Sequence, residues 1–248
     1  MTLLSLPEQI LGGILKPGDI EEAQRLLGAC GLFSGLSSEE RRALVGRAKL
    51  RTISAGQTIF SMGSPGNSMM AVLSGSIRIS IPSASGKEIV LAILQSGQVF
   101  GEIALLDGKE RTADAKAMTD CHLAVLERPD VLALLERHPS AWLKVVEVLC
   151  ERLRRTDQQI SELALLQLPV RLAKTLLRLA DAASGSSPRG IEIQLSQREL
   201  GNFVGASRES VNKCLGDWQR AGILRVEENI IVLTDRTSLK ALASIESR

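Results

Sequence analysis

The chain contains no tyrosine, and only two tryptophans and four phenylalanines among 248 residues. So poor an aromatic supply argues against a carbohydrate-type stacking cleft and against a single-strand platform, on which successive bases stack on rings. Long hydrophobic runs are missing too: none approaches the roughly 18 residues that a membrane span needs. The N-terminal stretch lacks a basic n-region and a clear cleavage site, so a cytoplasmic protein without membrane contact is expected. The four cysteines, Cys30, Cys121, Cys150 and Cys214, are far apart and form no C-x-x-C. They read as isolated reduced thiols and argue against a structural zinc or iron–sulfur site. The two histidines, His122 and His138, read as surface or packing residues. No nucleophile–base pair, metal-ligand run or Walker loop appears, so no catalysis is expected. Nor is there an excess of one charge: 30 basic against 28 acidic side chains leave a net +2. That balance excludes a strongly basic nucleic-acid carpet but not a locally basic DNA surface.

What remains is an ordinary folded composition, with 44% hydrophobic and 23% charged residues, long enough for one or two domains with their own cores. Residues 1–29 read as a helical or weakly anchored extension. Ser37 with Glu40 has the spacing of a capping box, so a short helix should start there. From about Leu50 to Glu127 short apolar stretches alternate with Gly, Ser, Pro and Asn. Ile77, Ile79 and Ile81 alternate with polar residues, as in a strand with one wet face. A second strand covers Glu88–Leu94 after a Ser85-Gly86-Lys87 turn, and a later one covers His122–Leu126. Many short strands with glycine corners suggest a small barrel or sandwich.

Past Pro129 the pattern turns helical for some fifty residues. Val146, Leu149, Leu153, Thr156, Ile160 and Leu163 follow a 3-4-3-4 spacing, a heptad seam. A seam that long usually needs a partner helix, and the simplest partner is the same helix of a second chain. Thr156 sits on it where an apolar residue is expected, so it sets register or touches something bound. Leu168-Pro169 breaks the pattern, and Pro suits the first turn of a new helix running to about Ala180. Residues 183–190 read as a loop, and Ile191, Ile193 and Leu195 as a short strand.

The C-terminal part carries a sharper pattern. Ser196 to Glu199 is another capping box, and Leu200, Phe203 and Val204 give its helix one apolar face. Gly205-Ala206 makes a tight turn, and Ser207 can cap the next helix. On that helix Val211, Cys214, Leu215 and Trp218 share one face, while Arg208, Glu209, Asn212 and Lys213 share the other. Two short helices around a glycine turn form a helix-turn-helix, whose second helix would carry Arg208 and Glu209 to base edges in the major groove. Arg can donate twice to guanine, Glu can accept from cytosine, and Lys213 can donate to guanine or phosphate. Strands near Ile223–Leu233, interrupted at Glu227-Glu228-Asn229, would form a wing.

The other informative stretch is Gly97 to Leu106, followed by Arg111-Thr112-Ala113. Gly101 lets backbone N–H groups approach a ligand. A helical turn opening at Glu102 would aim N–H donors at an anion. Arg111 would neutralise a phosphate with forked hydrogen bonds, and Thr112 adds a hydroxyl. Glu102 needs a donor, which a ribose hydroxyl would supply.

Through Phe100-Gly101-Glu102-Ile103-Ala104-Leu105-Leu106 with Arg111-Thr112-Ala113, and through Ser196–Val211, the chain resembles the cyclic-AMP receptor protein and fumarate–nitrate regulator (Crp/Fnr) family of bacterial transcription factors. The resemblance spans about residues 30–240. It implies an α+β protein: an effector β-roll over 30–140, a dimerisation helix over 141–167 and a winged helix-turn-helix over 168–248. It implies a homodimer that binds cyclic AMP and a pseudo-palindromic duplex, with RNA polymerase as a further partner. Arg111 and Thr112 would hold the cyclic phosphate, Glu102 the ribose 2′-hydroxyl, and Gly101 would shape the pocket. Thr156 and Asp157 would meet the base. Arg208, Glu209 and Lys213 would read a half-site, with Ser207 and Asn212 completing the DNA-facing set. Three positions depart from the receptor's pattern: Lys213 replaces an arginine, Asp157 a serine and Thr112 a serine. A carboxylate only accepts, and guanine offers N1–H and N2–H together, so cyclic GMP stands as the alternative ligand. The iron–sulfur branch needs an N-terminal cysteine cluster, where this chain has only Cys30. A ligand-independent regulator of the same family, and a nucleotide-binding module that acts through a protein partner with a degenerate DNA domain, are the other readings left open.

Overall fold

A computed structural model describes residues 36–83, 88–182, 186–187 and 190–244, with Arg25, Gly28 and Phe33. Apart from Arg25 and Gly28, both helical, the N-terminal extension lies outside the described residues, as do Cys30 and the Ser85–Lys87 turn. Chain contacts divide the molecule into two units, with one boundary between Arg152 and Leu153 and the segment Ser83–Val90 assigned to the second. Helix and sheet are mixed in both, as an α+β fold requires.

In the first unit α1 covers Ser38–Val45. Ser37 accepts from the Glu40 backbone N–H, while the Glu40 carboxylate accepts from the Ser37 N–H, so the capping box forms as spaced. Eight strands then build two sheets. One has the order β1 (Lys49–Ile53), β8 (Cys121–Glu127), β3 (Ser68–Ser74), β6 (Val99–Phe100). The other has the order β2 (Thr58–Phe60), β7 (Asp114–Ala117), β4 (Ile77–Pro82), β5 (Glu88–Leu94).

Strands β3 and β8 are apolar on both sides, and the packing shows why. Met70, Val72, Leu123 and Val125 join a core with Ile77, Phe100 and Ala115. Met69, Ala71, Ala124 and Leu126 join another with Leu44, Val45, Leu105, Val131, Leu135 and Val145, supplied by helices. A sheet covered on both faces reads as a continuous apolar run rather than an alternation.

In β4 the expected alternation fails halfway: Ser80 is buried and Ile81 is exposed. The ladder to β7 ends at the Ser80–Asp114 rung. Ile81 lies beyond that last rung. After β8, α3 (Arg128–Arg137) starts with Pro129 in its first turn, where a missing N–H costs nothing. The helix α4 (Pro139–Leu165) follows and runs for 27 residues.

The second unit contains α5 (Leu168–Ala182), the sheet β11 (Leu224–Glu227), β12 (Ile230–Leu233), β10 (Gly190–Gln194), β9 (Ser186–Ser187), and the helices α6 (Gln197–Val204), α7 (Arg208–Arg220) and α8 (Arg236–Ala243). The region expected as a plain loop over 183–190 holds a two-residue strand, because Ser186 and Ser187 pair with Ile191 and Gly190. Leu172, Leu176, Leu200, Val211, Leu215, Leu224, Ile231 and Leu239 are fully buried. At about 1.5–3 kcal/mol for each large apolar side chain, such a core supplies the main driving force of this unit. Among the described residues no helix is long and apolar enough to cross a membrane.

Candidate functional site

In the first unit the structure brings together Gly101, Glu102 and Arg111. Gly101 adopts φ 79°, the left-handed region, and opens the short helix α2 (Glu102–Asp107) without any side-chain cap. A Cβ at this position would lie 2.5 Å from Arg111 Nη1, so glycine is required by the arginine as well as by its own backbone.

Arg111 is buried. Its Nη1 donates to the Gly101 carbonyl at 2.8 Å and its Nη2 to Ser68 Oγ at 3.1 Å. The guanidinium also stacks over Phe60, 4.3 Å from the ring centroid. Its buried Nε has no hydrogen-bond partner. Burial lowers the pKa of Arg111, with the Glu102 charge opposing.

Glu102 is only 1% exposed. Its Oε1 accepts from Nη1 of Arg152, which also donates through Nη2 to the Val99 carbonyl at 2.6 Å. Its Oε2 is buried without a donor. Burial raises the Glu102 pKa above its usual value and outweighs the pairing with Arg152. Thr112, next to the arginine, is exposed.

The site therefore holds a rigid guanidinium with an unused buried donor and a carboxylate with an unused buried acceptor. A ligand that combines an anionic oxygen with a hydroxyl satisfies both, and a ribose cyclic phosphate is such a ligand. Arg152, Ser68 and Phe60 went unnoticed in the sequence. They lie 50, 43 and 51 positions from the residues they serve, and no local spacing signals such pairs.

Thr156 and Asp157 are exposed residues of α4, in the part that belongs to the second unit. The seam residues Val146, Leu153, Ile160 and Leu163 are exposed in the single chain. Leu149 differs: it is half-buried against the core of the first unit. The histidines occupy surface pairs, His122 with Ser74 and His138 with Glu40.

In the second unit α6 begins at the expected capping box of Ser196 and Glu199 and ends at Gly205 in the left-handed region. Ser207 caps α7 by accepting from the Ser210 N–H. Val211, Leu215 and Trp218 are buried, while Arg208, Glu209, Asn212 and Lys213 are exposed together with Ser207. The polar face of α7 is thus open to solvent. Beside it β11 and β12 pair antiparallel, with the turn at Glu228 and Asn229.

These two arrangements match known domains. Residues 50–138 match the cyclic nucleotide-binding domain family, and residues 170–242 match the Crp-like helix-turn-helix domain family. A CRP-like cAMP-activated global transcriptional regulator of Mycobacterium tuberculosis is 30% identical over 216 residues, 86% of this chain and 96% of the relative. The cyclic AMP receptor protein of Thermus thermophilus is 32% identical over 212 residues, again 86% and 96%. Among solved structures, the c-di-GMP-responsive global regulator of Xanthomonas campestris superposes with TM-score 0.73 at 26% identity, covering 79% of this chain and 99% of that one. A Crp/Fnr-family regulator of Thermus thermophilus gives TM-score 0.67 at 30% identity, covering 80% and 100%. A likeness that runs through almost the full length of such relatives cannot be confined to one shared module, and the chain belongs to the Crp/Fnr family of cyclic-nucleotide-binding, DNA-binding transcription regulators.

Proposed function

We propose that the protein is a cytoplasmic homodimer that takes cyclic AMP into the β-roll and, so loaded, binds a pseudo-palindromic operator and acts on RNA polymerase. The effector part is assigned to 30–140, the dimer helix to 141–167 and the DNA-binding part to 168–248. The observation that carries the reading is the pair of buried orphan atoms, Arg111 Nε and Glu102 Oε2. Each costs the fold about 1–3 kcal/mol if nothing binds it. Arg111, with Thr112, would hold the cyclic phosphate, Glu102 would accept from the ribose hydroxyl, and Gly101 keeps the approach open. Thr156 and Asp157 would meet the base. Ser207, Arg208, Glu209, Asn212 and Lys213 would form the DNA face.

The choice of cyclic AMP draws support from the names of the mycobacterial and Thermus relatives. One observation favours a second ligand: Asp157 offers an exposed carboxylate that could accept from guanine N1–H and N2–H. Calorimetric titration with cyclic AMP, cyclic GMP and cyclic di-GMP tests both readings. Tightest binding of cyclic AMP supports the first. Preference for cyclic GMP that Asp157→Ser reduces supports the second. Binding of cyclic di-GMP alone, or of none, removes both.

A further inference from the structure

The junction between the long helix and the DNA-binding unit holds a cluster that nucleotide and DNA binding leave unexplained. Glu162, near the end of α4, is only 7% exposed. Its carboxylate accepts from Gln158 Nε2 at 3.2 Å, one turn back on the same helix. Across to α5 it faces Arg178 Nη1 at 3.3 Å and Lys174 Nζ at 3.9 Å. Arg178 is held in turn by donating to Thr175 Oγ1 at 3.2 Å, and Thr175 is buried. A buried carboxylate is tolerated when partners of opposite charge surround it, and it then fixes the geometry of those partners.

Two further contacts act on the same joint. Arg171 of α5 donates to the Leu166 carbonyl at 2.8 Å and reaches the Leu163 carbonyl at 3.4 Å. Leu163 lies in the last turn of α4 and Leu166 just beyond its end, where carbonyls lose their intrahelical donors. Leu163 itself, the last residue of the apolar seam, lies against the helix-turn-helix turn: a Cβ at Gly205 would come within 3.0 Å of its Cδ2. All these residues belong to one unit.

We infer that Glu162, clamped by Lys174 and Arg178, is a positioning residue that makes the last turns of α4, α5 and the helix-turn-helix one rigid body, so that the packing of the seam sets the separation of the two recognition helices and gives the dimer its selectivity for half-site spacing. The inference rests on the dimeric, DNA-binding reading above. Its logic is mechanical. The helix break at Leu166-Gln167 would act as a swivel if the helices on either side were free. A swivel would let each recognition helix find its half-site independently of the other. The clamp removes that freedom. One inserted base pair then lengthens the spacing by about 3.4 Å and rotates one half-site by about 35°, which a rigid dimer cannot follow.

The test compares wild type with Glu162→Gln on three duplexes: the preferred palindrome, the same with one base pair inserted between the half-sites, and a single half-site. Wild type should discriminate against the insertion. Glu162→Gln should lose about tenfold of that discrimination, within the range of coupling between distinct sites, while its affinity for the single half-site stays at the wild-type level. Glu162→Asp should restore much of the discrimination. The double variant Lys174→Gln/Arg178→Gln, which removes the clamp from its solvent side, should behave like Glu162→Gln. Amide hydrogen exchange provides a readout independent of DNA: residues 163–175 should exchange faster in Glu162→Gln than in wild type. Unchanged spacing discrimination beside a discriminating wild type overturns the inference, as does unchanged exchange protection. A wild type that binds all three duplexes alike overturns the dimeric DNA-binding reading instead, and the exchange result then decides the clamp.

Discussion

Arg111 is charged, buried and built into its place before any ligand arrives. Two of its nitrogens bond to Gly101 and Ser68, and its face rests on Phe60. Preorganisation of this kind lowers the ordering cost of binding. Arg111→Ala should therefore weaken cyclic-nucleotide binding by about 2–5 kcal/mol, since it strips a desolvated anion of its charged partner. Calorimetry measures this, and wild-type affinity in the variant would remove Arg111 from the site. Glu102 gives a prediction about pH. Its pKa is raised by burial above the usual 4.5, so the folded state holds the proton more tightly than the unfolded one. The stability tied to that proton is present at low pH and is lost as pH rises through the folded-state pKa. Relative to Glu102→Gln, ligand-free wild type should gain thermal stability as pH falls from neutrality towards 4.5. Parallel melting curves for the two proteins would contradict this. Such residues also show what could be read from the sequence. Gly101, Glu102 and Arg111 stand within eleven positions of one another, and their chemistry is visible as a string. Arg152, which ties down Glu102 from the long helix, is one arginine among several on α4, and only the fold selects it.

Among the elements, the capped helices were the most legible. The boxes at Ser37 and Ser196 involve four consecutive residues, and both form as their spacing predicts. The long helix was legible in its period but not in its allegiance. Leu149 shares the spacing of the seam yet packs against its own unit, because the 3-4 stripe of one helix is wide enough to serve two neighbours. Ser80 and Ile81 exchange their expected environments at the end of a ladder: Ser80 is buried at its last rung, opposite Asp114, and Ile81 is exposed beyond it. The exposed seam carries a prediction of its own. Val146, Leu153, Ile160 and Leu163 are 51, 61, 59 and 37% exposed in the single chain. Burial of each in a dimer would contribute up to about 1.5–3 kcal/mol. Leu153→Glu places a charge in the middle of that stripe and should yield monomers by light scattering. An unchanged dimer mass would move the interface elsewhere.

For the whole molecule the question is how a ligand in one unit changes what the other does to DNA. A ligand can shift the protein towards a DNA-competent state only by the difference in its affinity for the two states. In the proposed function Thr156 is where that difference arises, because it lies on the seam and would also touch the base. Thr156→Ala should then keep most of the ligand affinity, which Arg111 and Glu102 supply, and lose much of the ligand-dependent gain in DNA affinity. That gain should be about 5–150-fold in wild type. Arg208→Ala should do the reverse: it should leave nucleotide binding intact and cost about 1–3 kcal/mol at the base pair it reads. Anisotropy titrations of a palindromic duplex, with and without saturating nucleotide, separate the two variants. Opposite phenotypes fit a switch whose sensing and reading residues are distinct. Loss of nucleotide affinity in Thr156→Ala in step with the loss of DNA binding would mean that this residue serves the pocket alone, and the coupling would then have to run through another part of the seam.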